Sequence, residues 1–354
     1  MQLKVAFDAK RAFHNNSGLG NYSRTLIRSI IEYHPELQLK LFTTKRSDKL
    51  NDALSGSNVS VVVPKSLYNL VPSIWRRYKI STEPELSDCK IYHGLSAELP
   101  YGIEKQNIKT MVTVHDLIFL RMPHLYQFID RKTYLNKTKH ACKIADAIVA
   151  ISNKTKEDLI ELLSVEEKKI HVIYQSINTS IKSEANSFEK LKAKYKLSEK
   201  FILGVGTIEE RKNMEVIIKA LPKVPADYQF VLVGRKKDYA AKLISIISQL
   251  KLRNRVIMLE GIDDNELKAL YQHSTLVVYP SRYEGFGLPV LEALQYDKPV
   301  IAATGSCLEE AGGAAAIYLD PDNVESWAST IINLLTDKNA SALLTKNARL
   351  QTQK

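Results

Sequence analysis

The feature that most restricts the fold of this chain is the alternation of short apolar segments with longer segments of helical spacing. Apolar segments such as LKVAFDA at 3–9 are rich in Val, Ile and aromatic residues, which is typical of parallel strands covered on both faces. The pattern predicts an α/β protein made of two doubly wound Rossmann-like domains facing across a cleft. The expected strands are 3–9, 38–44, 59–63, 89–94, 110–116, 147–152, 170–174, 201–206, 229–234, 256–260, 276–280, 299–303 and 316–319.

The length of the chain also favours two domains, since 354 residues exceed what one hydrophobic core usually organises. We expect a first domain at 1–178, a polar connector with one short amphipathic helix at 179–199, a second domain at 200–337 and a tail or helix at 338–354. Helices are expected at 21–33, 70–79, 124–145, 153–164, 213–221, 239–251, 264–273, 288–296 and 323–336.

Composition excludes several classes of protein. Hydrophobic residues make up 45% and charged residues 25% of the chain, which is typical of a packed protein rather than a disordered or fibrous one. No apolar segment is long enough to cross a membrane, and the first residues enter a strand, so we expect a cytoplasmic protein. Cys89, Cys142 and Cys307 lie far apart without metal-ligand spacing, and we expect buried or incidental thiols.

Positive charge is concentrated in the first half of the chain. Residues 1–175 hold 26 Lys and Arg against 18 Asp and Glu, whereas the remainder holds 24 against 21. This excess favours an anionic partner, which could be a nucleic acid, a phosphorylated substrate or an anionic membrane surface.

The segment YPSRYEGFGLPVLEALQYDKPVIAA at 279–303 carries the strongest signal for a ligand site. In open parallel sheets, ligands bind beyond the carboxyl ends of strands, and this segment follows an expected strand. Pro289 is favoured at a first helical position, so a helix start with free N–H groups follows the glycines and fits a phosphate. Glu284 and Glu292 flank that position and suit sugar hydroxyls better than the anion.

A second strand end in the same expected domain adds two cations. Strand 201–206 is followed by TIEERKN, which places Arg211 and Lys212 where they can hold a diphosphate. Arginine offers a planar fork of donors and lysine a compact point charge, so the pair can neutralise a pyrophosphate leaving group. His115 and Asp116 end another apolar strand, where a histidine can donate or accept a proton near neutral pH.

The chain resembles the family-4 retaining glycosyltransferases, which have the two-domain GT-B architecture, along nearly its whole length. The motifs that carry this resemblance are SGLGNYSR at 17–24, VTVHDL at 112–117, GTIEERKN at 206–213, the pair Glu284 and Glu292, and SCLEEAGGAA at 306–315.

The resemblance implies a role for each matching residue of the second domain. Arg211 and Lys212 would bind the diphosphate of a nucleotide sugar, Glu284 would contact hydroxyls of the transferred sugar, and Glu292 would hold the ribose. The N–H groups that would meet the distal phosphate and sugar belong to Phe286, Gly287 and Leu288.

In the first domain, Gly18 and Gly20 are similar to a glycine loop that closes over the donor, and His115 to a histidine beside the reaction centre. The family often has glycine where Asp297 and Ser176 stand here. It also usually ends in a long helix that crosses back to the first domain, whereas this sequence stops at Lys354.

By the same resemblance, the reaction would be the transfer of a hexose with retention of configuration. The motifs look most like those of mannosyltransferases, so GDP-mannose is the leading donor and a UDP-hexose the alternative. The acceptor would be a glycan or a lipid-diphosphate-linked oligosaccharide in surface polysaccharide synthesis. No cofactor and no metal are expected, because Asp320-Pro321-Asp322 reads as a turn rather than a metal motif.

Basic and aromatic residues interleave in SIWRRYK at 73–79 and again at 121–143, which suits either a solvated helix face or an anionic membrane interface. We therefore predict an acceptor or membrane patch at the inner face of a membrane. Its residues are Trp75, Arg76, Arg77, Lys79, Arg131 and Lys132.

Three other functions are consistent with parts of the sequence. A nucleic-acid-binding protein would explain the charge, but no RRM, KH or helix-turn-helix signature is present, so we expect no nucleic-acid partner. An NAD-dependent oxidoreductase would require a GxGxxG fingerprint next to the first strand, which reads DAKRAFHNNSGLG instead. A sugar phosphorylase or epimerase on the same scaffold stays open.

Overall fold

A computed structural model of the chain describes residues 2–15, 18–54, 58–177 and 188–351. These residues fall into two compact units, Met1–Ser176 and Ile177–Lys354. The expected connector contributes one helix, at 188–195, and its first part, 179–187, lies outside the described residues.

The first unit contains a sheet of seven parallel strands in the order β3-β2-β1-β4-β5-β6-β7. The predicted strands are all present, with somewhat shorter bounds. They are β1 (Lys4–Asp8), β2 (Gln38–Phe42), β3 (Val59–Val62), β4 (Ile91–Gly94), β5 (Lys109–Val114), β6 (Ala147–Ala150) and β7 (Ile170–Val172).

The second unit contains a sheet of six parallel strands in the order β10-β9-β8-β11-β12-β13. Every residue of β11 and β12 is buried, which is why these strands read as continuous apolar runs. The strands are β8 (Phe201–Val205), β9 (Gln229–Val233), β10 (Val256–Leu259), β11 (Leu276–Tyr279), β12 (Val300–Ala303) and β13 (Ala316–Leu319). Two parallel doubly wound sheets confirm the predicted fold class.

Helices connect successive strands and cover the sheets. Those of the first unit are α1 (Lys10–His14), α2 (Gly18–Tyr33), α3 (Asn51–Leu54), α4 (Pro72–Ile74), α5 (Ile118–Arg121), α6 (Phe128–Ile144) and α7 (Asn153–Leu163). Those of the second are α8 (Phe188–Tyr195), α9 (Glu215–Ala220), α10 (Tyr239–Gln249), α11 (Asp264–His273), α12 (Leu288–Gln295), α13 (Leu308–Gly312), α14 (Val324–Thr336) and α15 (Lys338–Gln351).

The helix expected at 70–79 is the largest departure from the sequence pattern. Only Pro72–Ile74 is α-helical, and Trp75–Lys79 forms a turn of π-helix, which is wider than an α-helix. The change of repeat alters which side chains face the core. Trp75 is fully buried as a result, together with Tyr92 and Phe42 of the sheet.

Each sheet has one point at which the strand order reverses direction. In the first sheet it lies between β1 and β4, and in the second between β8 and β11. Loops from adjacent strands diverge there to opposite faces, and the crevice at the carboxyl ends is the usual ligand position in open α/β sheets. We call these positions the first and second switch points.

The last helix of the described chain, α15, packs on the second unit. Asp297, two residues beyond α12, has a left-handed backbone with φ of +54°. Its carboxylate accepts two hydrogen bonds from Arg349 of α15, at 3.1 and 3.0 Å, and its carbonyl accepts one from Thr345. Glycine adopts this backbone conformation without strain, which fits the glycine that the family resemblance implies at this position.

Candidate active site

The second switch point brings together the loops that follow β8 and β11. After β8, Glu210–Lys212 forms a single 3₁₀ turn. The loop after β11 is bonded to it, because the Arg282 N–H donates to the Arg211 carbonyl at 2.9 Å and the Arg211 guanidinium donates to the Tyr283 carbonyl at 2.5 Å. Two segments about 70 residues apart in sequence therefore form one rigid surface.

One oxygen of Glu284 lies at the centre of this surface. Its Oε1 is 2.8 Å from Arg211 Nη1 and 2.5 Å from Lys212 Nζ, and it accepts hydrogen bonds from Tyr279 at 3.0 Å and Ser281 at 2.5 Å. We call these five residues the Glu284 cluster. Among the described residues, no hydrogen bond or ion pair reaches Oε2, so this oxygen can accept a bond from a ligand hydroxyl.

Burial and the neighbouring charges act in opposite directions on the pKa values of the cluster. Burial alone would raise the pKa of Glu284, but Lys212 and Arg211 outweigh it and lower that pKa to about 2. Burial lowers the pKa of Lys212, an effect that Glu284 opposes. The Arg211 pKa is raised despite its burial, because Glu284 and Glu209 lie beside it.

Positive charge is in excess around the cluster. Arg211 also pairs with Glu209 at 2.8 Å, and Glu209 pairs in turn with Lys237. Three cations thus face two carboxylates, with Glu284 as the counterion of two of them. An incoming diphosphate could replace Glu284 as the counterion of Arg211 and Lys212, which would keep both cations compensated.

The sequence analysis expected Glu284 only to flank the anion site, whereas Glu284 contacts both cations directly. It also missed Tyr279 and Ser281, which hold the carboxylate in place. Both lie in the segment 279–303, at the end of an expected strand, so the sequence could have placed them near the ligand site. Nothing in the sequence pattern identifies Glu284 as their hydrogen-bond partner.

Helix α12 begins directly after the cluster. Its first residue is Leu288, and Pro289 occupies the second position rather than the first as expected. Gly287 has φ of +118°, and a Cβ at this position would lie 2.7 Å from Leu308 Cδ2, so the turn requires glycine. The Cys307 Sγ lies 3.1 Å from the carbonyl oxygens of Glu284 and Phe286 and fixes this loop from below.

Glu292 lies on α12 and is half-buried. Its Oε2 accepts a hydrogen bond from Tyr271 at 2.8 Å, and the Tyr271 ring stacks on Tyr296. Burial raises the pKa of Glu292. No described residue bonds to Oε1, which leaves one oxygen for a hydroxyl donor, as the predicted ribose contact requires.

His115 follows β5 and is buried. Its Nε2 lies 2.9 Å from the Leu95 carbonyl, and its Nδ1 lies 3.0 Å from the Gln175 amide nitrogen. The carbonyl can only accept, so these partners fit a neutral ring with its proton on Nε2. Burial lowers the His115 pKa to about 4. A direct role of this ring in proton transfer would require one of the two bonds to exchange.

Gly18 and Gly20 are not in a loop, contrary to expectation. They occupy the first turn of α2, which begins at Gly18 rather than at residue 21. A Cβ on Gly20 would lie 2.1 Å from the Asn15 carbonyl oxygen, so this glycine permits close packing of the chain that precedes the helix. Residue 17 of the motif, and residue 16 before it, lie outside the described residues.

Two residues of the predicted acceptor or membrane patch, Trp75 and Arg76, are turned inward and cannot contact a membrane. Trp75 is fully buried and donates its indole N–H to Glu83 at 2.6 Å. Arg76 turns inward as well, because its guanidinium pairs with Asp8 at 2.6 Å and with Glu98. Burial of its apolar surface favours the inward position of Trp75, and the carboxylates of Asp8 and Glu98 compensate the charge of Arg76 there.

The other patch residues are at least partly accessible. Arg77 is half-buried against Tyr101, Lys79 is half-buried, Arg131 lies 5.7 Å above the Phe128 ring, and Lys132 is exposed. Large apolar side chains are exposed beside these cations. They are Leu67, Leu70, Val71, Ile74, Tyr78, Phe128, Ile129 and Tyr134.

Arg76 identifies a polar cluster at the first switch point that sequence reasoning missed. Asp8 ends β1, Glu98 follows β4, and Lys137 of α6 pairs with Glu98 at 2.5 Å. We call Asp8, Arg76, Glu98 and Lys137 the Arg76 cluster. Asp8 ends an apolar strand, which is the signal that singled out His115 and Asp116, and it could have been found in the same way.

The described residues contain neither a grouped set of metal ligands nor a membrane-spanning helix. Within residues 2–15, 18–54, 58–177 and 188–351, no three His, Cys, Asp or Glu side chains are grouped to hold a metal ion. Asp320 accepts the Asp322 N–H in a turn, and Cys89, Cys142 and Cys307 are buried thiols that form no disulfide. No helix in the described part of the chain is long and apolar enough to span a bilayer.

Two family models match consecutive parts of the chain. The one described as "Glycosyltransferase Family 4" matches residues 17–181, and the one described as "Glycosyl transferases group 1" matches residues 187–351. Together they cover both units.

Relatives found by sequence carry related names. O-antigen chain mannosyltransferase RfbU of Salmonella typhimurium is 32% identical over 63% of this chain and 60% of its own length. O-antigen chain mannosyltransferase B of Escherichia coli is 25% identical over 99% of this chain and 95% of its own length. Serotype-specific mannosyltransferase WbdA of Escherichia coli is 29% identical over 74% of this chain. The match thus spans three fifths of RfbU and only 34% of WbdA.

Solved structures share the fold along the whole chain. Sucrose-phosphate synthase from Thermosynechococcus elongatus superposes with a TM-score of 0.77 at 20% identity, over 99% of this chain and 94% of that one. Anabaena HepE in complex with UDP and glucose superposes with a TM-score of 0.76 at 19% identity, over 99% and 95%. At these identities the likeness is one of fold.

Proposed function

Because this chain belongs to the glycosyltransferases of family 4, we propose that it transfers mannose from GDP-mannose to a glycan or lipid-linked oligosaccharide in surface polysaccharide synthesis. Relatives named as O-antigen mannosyltransferases, one of them aligned over 99% of this chain, support the choice of sugar and of process. A UDP-hexose donor is the alternative within the same reaction, and a phosphorylase or epimerase is the alternative reaction.

The Glu284 cluster is the observation that carries the proposal. Arg211 and Lys212 are held side by side at a switch point, by partners that fix their positions before any ligand arrives. The start of α12 follows the cluster in sequence and adds N–H groups that favour an anion. Such an arrangement is suited to a sugar nucleotide, whose diphosphate is the part that gains negative charge.

In the proposed reaction, the bond between the anomeric carbon and the diphosphate oxygen breaks, and negative charge accumulates on the leaving diphosphate. Arg211 and Lys212 stabilise that charge without a metal, since they are oriented in advance and partly shielded from water. Glu284, released from its two cations, turns its carboxylate to the hydroxyls of the sugar. Glu292 binds the ribose through its unbonded oxygen.

We further propose that the configuration at the anomeric carbon is retained. The acceptor hydroxyl would attack from the face that the diphosphate leaves, and a diphosphate oxygen would take the hydroxyl proton. His115 is assigned to the catalytic residues by family resemblance, and its neutral ring fits hydrogen bonding better than charge stabilisation at neutral pH.

Transfer assays with GDP-mannose and UDP-hexoses test the proposal. We expect Arg211→Ala and Lys212→Met each to lower turnover by about 10²–10³-fold, as loss of one charge-stabilising donor does. Arg253→Ala, which removes an exposed arginine of the same unit, should leave turnover unchanged. Near-normal transfer by both folded cluster variants would contradict the role of the cluster.

The products separate the alternatives. Release of a nucleoside diphosphate with a glycosylated acceptor indicates transfer, a sugar phosphate indicates phosphorolysis, and an isomerised nucleotide sugar indicates epimerisation. Thermal unfolding with GDP, UDP, ADP and dTDP identifies the base, because a ligand that binds only the folded state raises the melting temperature.

We also propose that the first unit contacts the cytoplasmic face of an anionic membrane. The side chains of Leu67, Leu70, Phe128 and Ile129 are exposed, and Arg131 lies 5.7 Å above the Phe128 ring, so these residues take the place of the buried Trp75 in the patch. Flotation with anionic vesicles should recover the protein at low salt, and Leu70→Ser with Ile129→Ser should reduce recovery. Equal recovery with neutral vesicles would count against it.

A further inference from the structure

A polar cavity of about 130 Å³ lies in the first unit, at the first switch point. It is bounded by the chain that follows β1, the loop that follows β4, the π-helical turn and α6. Its lining includes Asp8, Lys10, Arg76, Arg77, Glu98 and His140. The position is the first-unit counterpart of the Glu284 cluster, since both lie where a strand order reverses.

The charges around this cavity do not balance. Its two carboxylates, Asp8 and Glu98, are both paired with Arg76, and Glu98 is also paired with Lys137. Two further cations, Lys10 and Arg77, line the same space, and no carboxylate of a described residue lies within ion-pair distance of either. The lining therefore carries four positive charges against two negative ones.

Donor atoms in the lining also lack partners. The Arg77 Nε and the His140 Nε2 are buried without a hydrogen-bond partner among the described residues. The Lys10 ammonium is half-buried and makes no hydrogen bond or ion pair within the same ranges, and burial lowers its pKa. The Arg77 Nε and the His140 Nε2 have almost no accessible surface, so the unpaired ammonium of Lys10, in the same lining as the Arg77 guanidinium, is the group that calls for a ligand with acceptor atoms.

Aromatic stacking holds two of these nitrogens in place. Tyr101 stacks on His140, with ring centroids 4.0 Å apart, and on Tyr78, at 5.2 Å. The Arg77 guanidinium lies 5.2 Å from the Tyr101 ring centroid and 3.3 Å from its hydroxyl. The donors are therefore positioned before a ligand binds, which reduces the entropic cost of binding it.

We propose that this cavity binds an oxyanion, a phosphate or a carboxylate, carried by the acceptor. Lys10 supplies a point charge and Arg77 a planar guanidinium, which together match an anion better than an uncharged hydroxyl cluster. Binding of the anion stands on the cavity alone, and only its assignment to the acceptor rests on the proposed function.

Histidine-selective ¹⁵N NMR of the full chain tests this, because His140 reports on the cavity and not on the Glu284 cluster. Inorganic phosphate and acetate are titrated separately into the wild-type protein. We expect a saturable shift of the His140 resonance, assigned by its loss in His140→Asn. Lys10→Met and Arg77→Gln should each weaken the affinity at least about tenfold, the loss of one charge-assisted bond. Lys139→Met, an exposed lysine of α6 outside the lining, should not.

The anion that binds more tightly indicates whether the acceptor carries a phosphate or a carboxylate. The absence of a saturable His140 shift with both anions, or a shift unaffected by both variants, would overturn the proposal. Sugar transfer that persists without anion binding would leave the proposed function intact. Anion binding without any transfer would retain the cavity and reject the function.

Discussion

The two switch points solve one electrostatic problem in different ways. In each, an arginine bridges two carboxylates and a lysine reinforces one of them. In the second unit, Arg211 and Lys212 converge on a single oxygen of Glu284. In the first, Arg76 and Lys137 approach Asp8 and Glu98 from different sides, and the surplus cations line an open cavity.

This difference separates two routes to an anion site. The Glu284 cluster is complete without a ligand, so a diphosphate must take the place of a carboxylate that is already bound. The Arg76 cluster is internally neutral, and unpaired charge stands beside it instead. The first route makes binding an exchange of counterions, and the second makes it a simple addition.

The largest expected effect comes from removing one carboxylate of each cluster. Glu284→Gln leaves Arg211 and Lys212 without their common counterion and should lower the free energy of unfolding by about 3–5 kcal/mol. Asp8→Asn should lower the free energy of unfolding of the first unit by a comparable amount. A nucleoside diphosphate should restore much of the loss in Glu284→Gln, and none in Asp8→Asn.

Urea unfolding followed by tryptophan fluorescence measures both losses. The chain has two tryptophans, both fully buried, with Trp75 in the first unit and Trp327 in the second. Trp327→Phe thus reports on the first unit and Trp75→Phe on the second. Equal nucleotide rescue of both carboxylate variants would remove the distinction between exchange and addition.

The next effect is a difference in acid sensitivity between the units. Burial lowers the pKa of His93 to about 3 and of His115 to about 4, against an ordinary 6.5. The unfolded chain binds these protons first, so the stability of the first unit should fall as the pH drops from 6.5 towards 4, by on the order of 3 kcal/mol per histidine.

The second unit should respond at lower pH. The pKa of Glu284 is lowered from 4.5 to about 2, so its contribution is complete above pH 4.5 and is lost as the pH falls towards 2. The same tryptophan variants, unfolded in urea at pH 7.5, 6 and 5, should show the larger loss in the first unit, because the second unit has a single histidine with a lowered pKa, His273. An equal loss of stability in both units would show that groups other than His93 and His115 dominate the pH dependence.

The smallest effect is expected at Asp297, a charged residue outside both switch points. Asp297→Gly relieves the left-handed backbone and removes an exposed ion pair with Arg349. These two changes affect the free energy of unfolding in opposite directions, by about 1 kcal/mol or less each. The melting temperature should change by only a few degrees. A loss as large as that of Glu284→Gln would show that position in the fold does not set the value of an ion pair.

The second switch point could be predicted because its residues form contiguous motifs. Arg211 and Lys212 are neighbours in sequence, and Glu284 precedes a glycine-proline helix start, so strand-end position and residue type together identify the chemistry. The contact between them could not be predicted, since it depends on how the loops after β8 and β11 fold onto each other.

The first switch point was missed because its partners are scattered. Arg76 meets Asp8 from 68 residues away, and no spacing rule connects them. The prediction for the segment SIWRRYK also failed for a physical reason. A π-helical turn replaces the expected α-helix, so the side chains that were assigned to one exposed face point to different sides. The number of strands and the doubly wound α/β class, by contrast, follow from apolar periodicity alone.

The bonds between Asp297 and α15 link the end of the chain to α12, whose first turn follows Glu284. A protein shortened at residue 337 would keep all residues proposed to touch the donor, yet the far end of α12 would lose its tether to Thr345 and Arg349. Trimming this terminus for crystallisation or fusion would therefore loosen the helix that supports the donor pocket.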